Sequence, residues 1–311
     1  MAPNDPSNSR IRMMSPRPWC LPFPYVPELF PDELLSSWWR RTGVEYGVSL
    51  EHLAQHIGIS NTKPAYIDQD LSPDEIGRLA GAMRVERAEI RQRLYQPLRP
   101  QVRSLRAHRA PIQVCTSCRA RHFAGHAQPV FVRAWFEFWR IECQACQCAL
   151  SSLGSPALDR CNPAREHPGW FSGIMPAARH GAARLHLYAR RPFNAVLSPV
   201  AVLCLLSKPL TSGWRDDDLI RYGGYCVADL FVPGLSEITR EQGILVPEVW
   251  TVKKPVRLVT ARIILLAALS HFLADPKASF RRVRDTAGFG VGSFLERWVS
   301  ALPPHAQLSI S

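Results

Sequence analysis

Four cysteines fall into two C-x-x-C pairs, Cys115 with Cys118 in C-T-S-C and Cys143 with Cys146 in C-Q-A-C. A two-residue spacer lets one tight turn aim both sulfurs at a single ion. Two such turns complete a tetrahedron of thiolates at about 2.3 Å from zinc. The 24 residues between Cys118 and Cys143 exceed the usual ribbon spacing, yet they suit a hairpin that folds one pair onto the other. Four thiolates close the coordination sphere, so the chemistry expected is structural Zn2+ that holds the fold rather than reacting. Cys148 is a spare close to the site and could substitute for Cys146, whereas Cys161 has no C-x-x-C partner.

Other uses of these thiols fit less well. A disulfide framework belongs to an oxidising compartment, and no signal peptide is visible in the sequence. A thioredoxin-like site needs one C-x-x-C in a βαβ context. Cys115, Cys118, His122 and His126 lie too close together for a C2H2 finger, and no H-x-E precedes a P-C-x-x-C as a zinc deaminase requires. A degenerate, metal-free knuckle stays open beside zinc. Nine cysteines without a secretory signal point to a reducing cytoplasm. Cys20, Cys204 and Cys226 read as small core residues.

The chain of 311 residues carries a net charge of +12, with Arg far commoner than Lys. Arg suits bidentate contact with phosphate, and a strongly basic chain is a candidate nucleic-acid binder. Between Arg99 and Arg140 stand eight arginines (Arg99, Arg103, Arg106, Arg109, Arg119, Arg121, Arg133 and Arg140) against one acid, Glu137. They form a candidate DNA-binding surface on and just before the metal segment; a solvated face with no partner is the alternative.

The elements around the cysteines follow from pattern. Gln128 to Glu142 is rich in β-branched and aromatic residues, which predicts a strand running into the second knuckle. Upstream, Pro31-Asp-Glu predicts a helix start, with Leu34, Leu35, Trp38 and Trp39 on its apolar face. After a break from Gly43 to Val48, Ser49 caps a helix over Leu50–Ile57 that ends at Gly58. This pair fits a helix-turn-helix and an ordinary αα-hairpin equally. Ser72-Pro-Asp-Glu75 is a capping box for another helix, and Glu86 to Tyr95 predicts a further one. Downstream, Ser155 to Gly181 reads as irregular. Val259 to Leu273 reads as a core helix apolar nearly all round, and Phe280–Ala287 and Ser293–Leu302 as helices flanking a glycine turn at Gly288–Gly292. No segment approaches a membrane span; the most apolar run, Ile263 to Leu269, is too short.

The fold class expected is mainly α with a small β zinc-ribbon-like module. Its domains are a disordered tail over 1–19, a helical, helix-turn-helix-like domain over 20–98, the zinc module over 99–165 and a mostly helical domain over 166–311.

Together these parts resemble the TniQ family, the target-site selection subunits of bacterial transposition systems, related to TnsD. Leu29-Phe-Pro-Asp-Glu-Leu-Leu-Ser-Ser-Trp38 with Arg40-Arg41 is similar to the family's opening P-D-E-S-L-x-S-W-L-x-R segment, and Val48-Ser-Leu-Glu-His-Leu continues it. Gln113-Val-Cys115-Thr-Ser-Cys118 resembles its first knuckle, and Phe131-Val-Arg133-Ala-Trp135 its R-x-x-W-R-like strand. Cys143-Gln-Ala-Cys146 with Leu150 stands where the family has C-x-x-H-x-x-x-L, so Cys146 takes the usual histidine's place. The family's further C-x-x-C appears here only as Cys161. The resemblance covers about residues 22 to 150. It implies a non-enzymatic DNA-binding adaptor that recruits a AAA+ transposition ATPase and, through it, a transposase; a guide-RNA effector complex is a further partner it leaves open.

No catalytic constellation competes with this reading. The sequence has no G-x-S-x-G, no H-E-x-x-H and no Walker motif. Asp216, Asp217 and Asp218 are consecutive, and consecutive carboxylates on a helix point in different directions. They suit a solvated helix N-terminus better than the metal site of a nuclease. A zinc-stapled protein-interaction module or transcription regulator remains the non-enzymatic alternative.

Overall fold

The computed structural model describes residues 21–107, 111–125, 128–153, 168–190, 197–208, 210, 226–232, 234–235, 259–286, 289–300, 302, 304 and 307. The tail assigned to 1–19, Cys20, Arg109, Cys161 and the Asp216, Asp217 and Asp218 run lie outside the described residues. The described part is mainly helical. It divides into two compact units, one formed by the described residues up to 30 with 34–95 and the other by 31–33 with those from 96 onward.

The first unit is a bundle of five helices: α1 (Leu35–Glu45), α2 (Leu50–Ile57), α3 (Pro64–Gln69), α4 (Pro73–Met83) and α5 (Arg87–Arg93). Trp38, Trp39, Ile57, Ile67, Leu79, Met83 and Ile90 fill its core. The ends of α2 and α4 are set by local chemistry. Ser49 accepts from the His52 amide and Gly58 takes a left-handed φ of 77° after α2. Ser72 and Glu75 form the reciprocal capping box that starts α4. Short α3 escaped the sequence pattern, although Pro64 marks its first turn. Its Asp68 accepts from the amide and hydroxyl of Ser36 at 2.9 and 2.7 Å, tying α3 to α1.

The start of α1 is a correction. Pro31 does not open the helix, which begins at Leu35. Asp32 adopts a left-handed φ of 58° and Glu33 pairs as an isolated bridge with Val132. The Asp32 carbonyl accepts from the Arg133 amide at 2.8 Å, so these acids serve the second unit rather than a helix N-terminus.

The second unit is built on α7 (Pro168–Arg190), α8 (Pro199–Leu206) and α9 (Val259–Ala274), followed by α10 (Pro276–Thr286) and α11 (Phe289–Ser300). The irregular stretch expected through Gly181 is helix from Pro168 onward, and the expected glycine turn is helical from Phe289. Gly181 has a packing reason: a Cβ there would overlap the Leu266 carbonyl of α9. As expected, α9 is buried nearly all round. Among the described residues no single helix is long and apolar enough to cross a membrane.

Candidate metal centre and its arginine surroundings

The first knuckle sits where a two-residue strand meets a helix. β1 (Gln113–Val114) delivers Cys115, and α6 (Thr116–Gly125) starts at the next residue. The Cys118 amide donates to Cys115 Sγ at 3.4 Å, so a free N–H of the first helical turn faces the sulfur. β1 pairs antiparallel with β2 (Ser151–Ser152), matching Gln113 with Ser152 and Val114 with Ser151. That ladder fixes where the second knuckle returns. There the Cys143 amide donates to the Cys148 carbonyl and the Gln147 amide to the Cys143 carbonyl, both at 2.9 Å. Gln147 takes a left-handed φ of 55°, closing the hairpin tightly.

These two devices bring the sulfurs of Cys115, Cys118, Cys143 and Cys146 within 4.8 Å of one another. Cys118 Sγ lies 3.5 Å from Cys143 Sγ and 3.4 Å from Cys146 Sγ. Thiolates bound 2.3 Å from a tetrahedral zinc would stand about 3.8 Å apart, so this group could bind such an ion. Cys148 Sγ lies 3.6 Å from Cys115 Sγ. Burial first, and then hydrogen bonds from the neighbouring cysteines, raise the Cys118 thiol's pKa well above its ordinary value. A bound dication reverses that preference, because it replaces the protons of its ligands.

The expected strand over Gln128 to Glu142 is not there. The segment instead makes a 3-10 turn at Arg133–Trp135 and short bridges, Arg106 with Glu137 and Glu142 with Ala149. The reason is one buried side chain. The Gln113 amide group donates to the carbonyls of Ala134, Glu137 and Arg140 at 2.7, 3.0 and 2.7 Å, curling the chain around itself. Trp135, Phe136, Phe138, Trp139 and Ile141 turn into the core as a result. Gln113 in turn accepts from fully buried Arg262 of α9 at 2.5 Å, and Arg262 also donates to the Phe138 carbonyl. Burial lowers the Arg262 pKa to about 9, so it stays charged at neutral pH, with the face of the Phe138 ring 5.1 Å away.

The arginine group separates by environment. Arg106 is buried and lies 3.8 Å from the carboxylate of fully buried Glu137; Arg140 reaches the same carboxylate at 3.3 Å and Arg190 of α7 at 3.8 Å. Burial raises the Glu137 pKa while those guanidiniums pull it down. Trp139 donates to Glu137 at 3.1 Å and stacks on His186, which burial, then Arg190 and Arg140, keep neutral with a pKa of about 4. Arg133 pairs with Asp32 at 3.6 Å. Arg121 donates to the sulfurs of Cys118 and Cys146 at 3.3 and 3.1 Å. Arg99 lies over the Tyr188 ring at 4.7 Å. Arg103 and Arg119 are exposed. Sequence reasoning missed the roles of Gln113, Glu137 and Arg262; the lone acid amid eight arginines was the available signal.

Neither a curated protein nor a solved structure matches the chain. Residues 24–149, which contain all four clustered cysteines, match the family model described as TniQ, so the chain carries a TniQ-like segment over that range.

Proposed function

We propose that the protein is a DNA-binding adaptor for transposon target-site selection that recruits a AAA+ transposition ATPase and, through it, a transposase. The TniQ match over residues 24–149 carries this reading. The net charge of +12 supports a polyanionic partner. In this account Cys115, Cys118, Cys143 and Cys146 hold structural Zn2+, which organises the module and leaves no open coordination position. Arg99, Arg103 and Arg119 reach phosphates, while Arg106, Arg133 and Arg140 position the fold. The helices of the first unit supply a helix-turn-helix-like surface, and a guide-RNA complex is one form the DNA-bound partner could take.

The test is retention of the ATPase on immobilised duplex DNA with ATP. Retention that depends on this protein is expected; retention unchanged by its omission counts against the adaptor. Incubation with DNA and Mg2+ or Mn2+ tests the nuclease alternative, since cleavage that survives purification overturns a purely adaptor role.

A zinc-stapled protein-interaction module is the second reading. It is favoured by the engagement of Arg106, Arg133 and Arg140 with carboxylates and of Arg121 with sulfurs, which leaves fewer uncommitted cations for phosphate than the sequence suggests.

A further inference from the structure

A fifth sulfur, Cys148 Sγ, borders the group formed by Cys115, Cys118, Cys143 and Cys146 and touches it at Cys115. Cys115 has Cys148 at 3.6 Å, while Cys118 has Cys143 and Cys146 at 3.5 and 3.4 Å. All three separations are close to the edge of a zinc tetrathiolate tetrahedron, about 3.8 Å. Cys148 is held in place by backbone. Its carbonyl accepts from the Cys143 amide, the left-handed Gln147 turns the chain back between Cys146 and Cys148, and the Glu142–Ala149 bridge closes the loop behind it. Cys146 approaches from the Cys118 side under the guanidinium of Arg121, and Cys148 from the Cys115 side. Both are half-buried, while Cys115, Cys118 and Cys143 are buried.

Tetrahedral zinc takes four of these sulfurs. We propose that the centre has two interchangeable ligand sets, with Cys115, Cys118 and Cys143 common to both and Cys146 and Cys148 alternating at the fourth position. The displaced thiol keeps its proton and stays within reach of a bound thiolate, so one ligand exchanges for the other with a single proton passing between them and no redox change. The consequence is a metal site that survives loss of either half-buried cysteine, with a built-in route for ligand exchange. This rests on the metal-site reading above, and the experiment separates the two.

The measurement is bound zinc per chain after a chelator challenge, for the full-length wild type, Cys146→Ser, Cys148→Ser, Cys146→Ser/Cys148→Ser and Cys115→Ser, with folding followed by circular dichroism. Expected are one zinc in the wild type and in both half-buried single variants, with affinity lowered about tenfold in Cys146→Ser, the scale of a change just outside the ligand shell. The double variant and Cys115→Ser retain none. In Cys146→Ser loaded with Co2+, the absorption bands should still report four thiolates. A zinc-free Cys146→Ser beside a zinc-bound wild type overturns the alternating ligand, as does a double variant that binds as the wild type does. A wild type without zinc instead overturns the metal site itself.

Discussion

Cys115 and Cys143 lie buried where the β1–α6 junction meets the hairpin of the second knuckle, and each is common to both ligand sets proposed above. Serine at either position should release zinc and unfold the surrounding module, because zinc-binding energy here is folding energy. Elemental analysis together with a thermal melt checks this; a variant that keeps one zinc and melts like wild type has the wrong ligand assigned. Glu137 answers to three guanidiniums in a buried setting. Glu137→Ala leaves them uncompensated and should cost about 3–5 kcal/mol in urea unfolding. His186 carries a pH dependence of determinable sign. Its folded pKa of about 4 lies below the unfolded value of about 6.5, so the unfolded chain binds the extra proton between those limits. The stability it contributes is complete above pH 6.5 and is lost as pH falls toward 4. His186→Phe keeps the ring on Trp139 but cannot take the proton, so its melting temperature should fall less than wild type over that window.

At the scale of elements, two packings carry the second unit. At Gly181 the α7 backbone comes so close to α9 that a Cβ would overlap the Leu266 carbonyl. Gly181→Ala should force the helices apart and lower stability by about 1–3 kcal/mol, read as a shift in the urea midpoint. An unchanged midpoint would mean the helices do not pack as described. The other is the chain of buried bonds from Arg262 through Gln113 to three carbonyls of the 134–140 segment. Gln113→Leu removes partners from all of them and should cost about 3–5 kcal/mol, since each buried polar group left unpaired loses about 1–3. The cysteine pairs and the caps of α2 and α4 were legible in the sequence because their chemistry is local. The curl of residues 134–140 was not, since strand propensity ignores an amide 21 to 27 residues upstream and an arginine 149 residues beyond it. The helix start at Pro31 failed for a similar reason: Asp32 and Glu33 are claimed by residues about a hundred positions away.

For the whole molecule, charge was legible only as a total. Eight arginines between Arg99 and Arg140 read as one basic field, but ion pairs with Glu137 and Asp32 engage Arg106, Arg140 and Arg133, and exposed Arg121 bonds the sulfurs. Which cations face outward depends on partners far along the chain, and spacing does not record them. The surface that remains still has to hold a duplex if the protein is a targeting adaptor. Counterion release gives a clear readout, because each phosphate neutralised adds about 0.9 to the slope of log affinity against log salt. The decisive measurement is therefore duplex-DNA affinity of the zinc-loaded chain across a salt series. Affinity falling about fortyfold or more between about 50 and 200 mM salt is expected from three phosphate contacts or more. Absent or salt-independent binding would contradict the adaptor and favour the protein-interaction module.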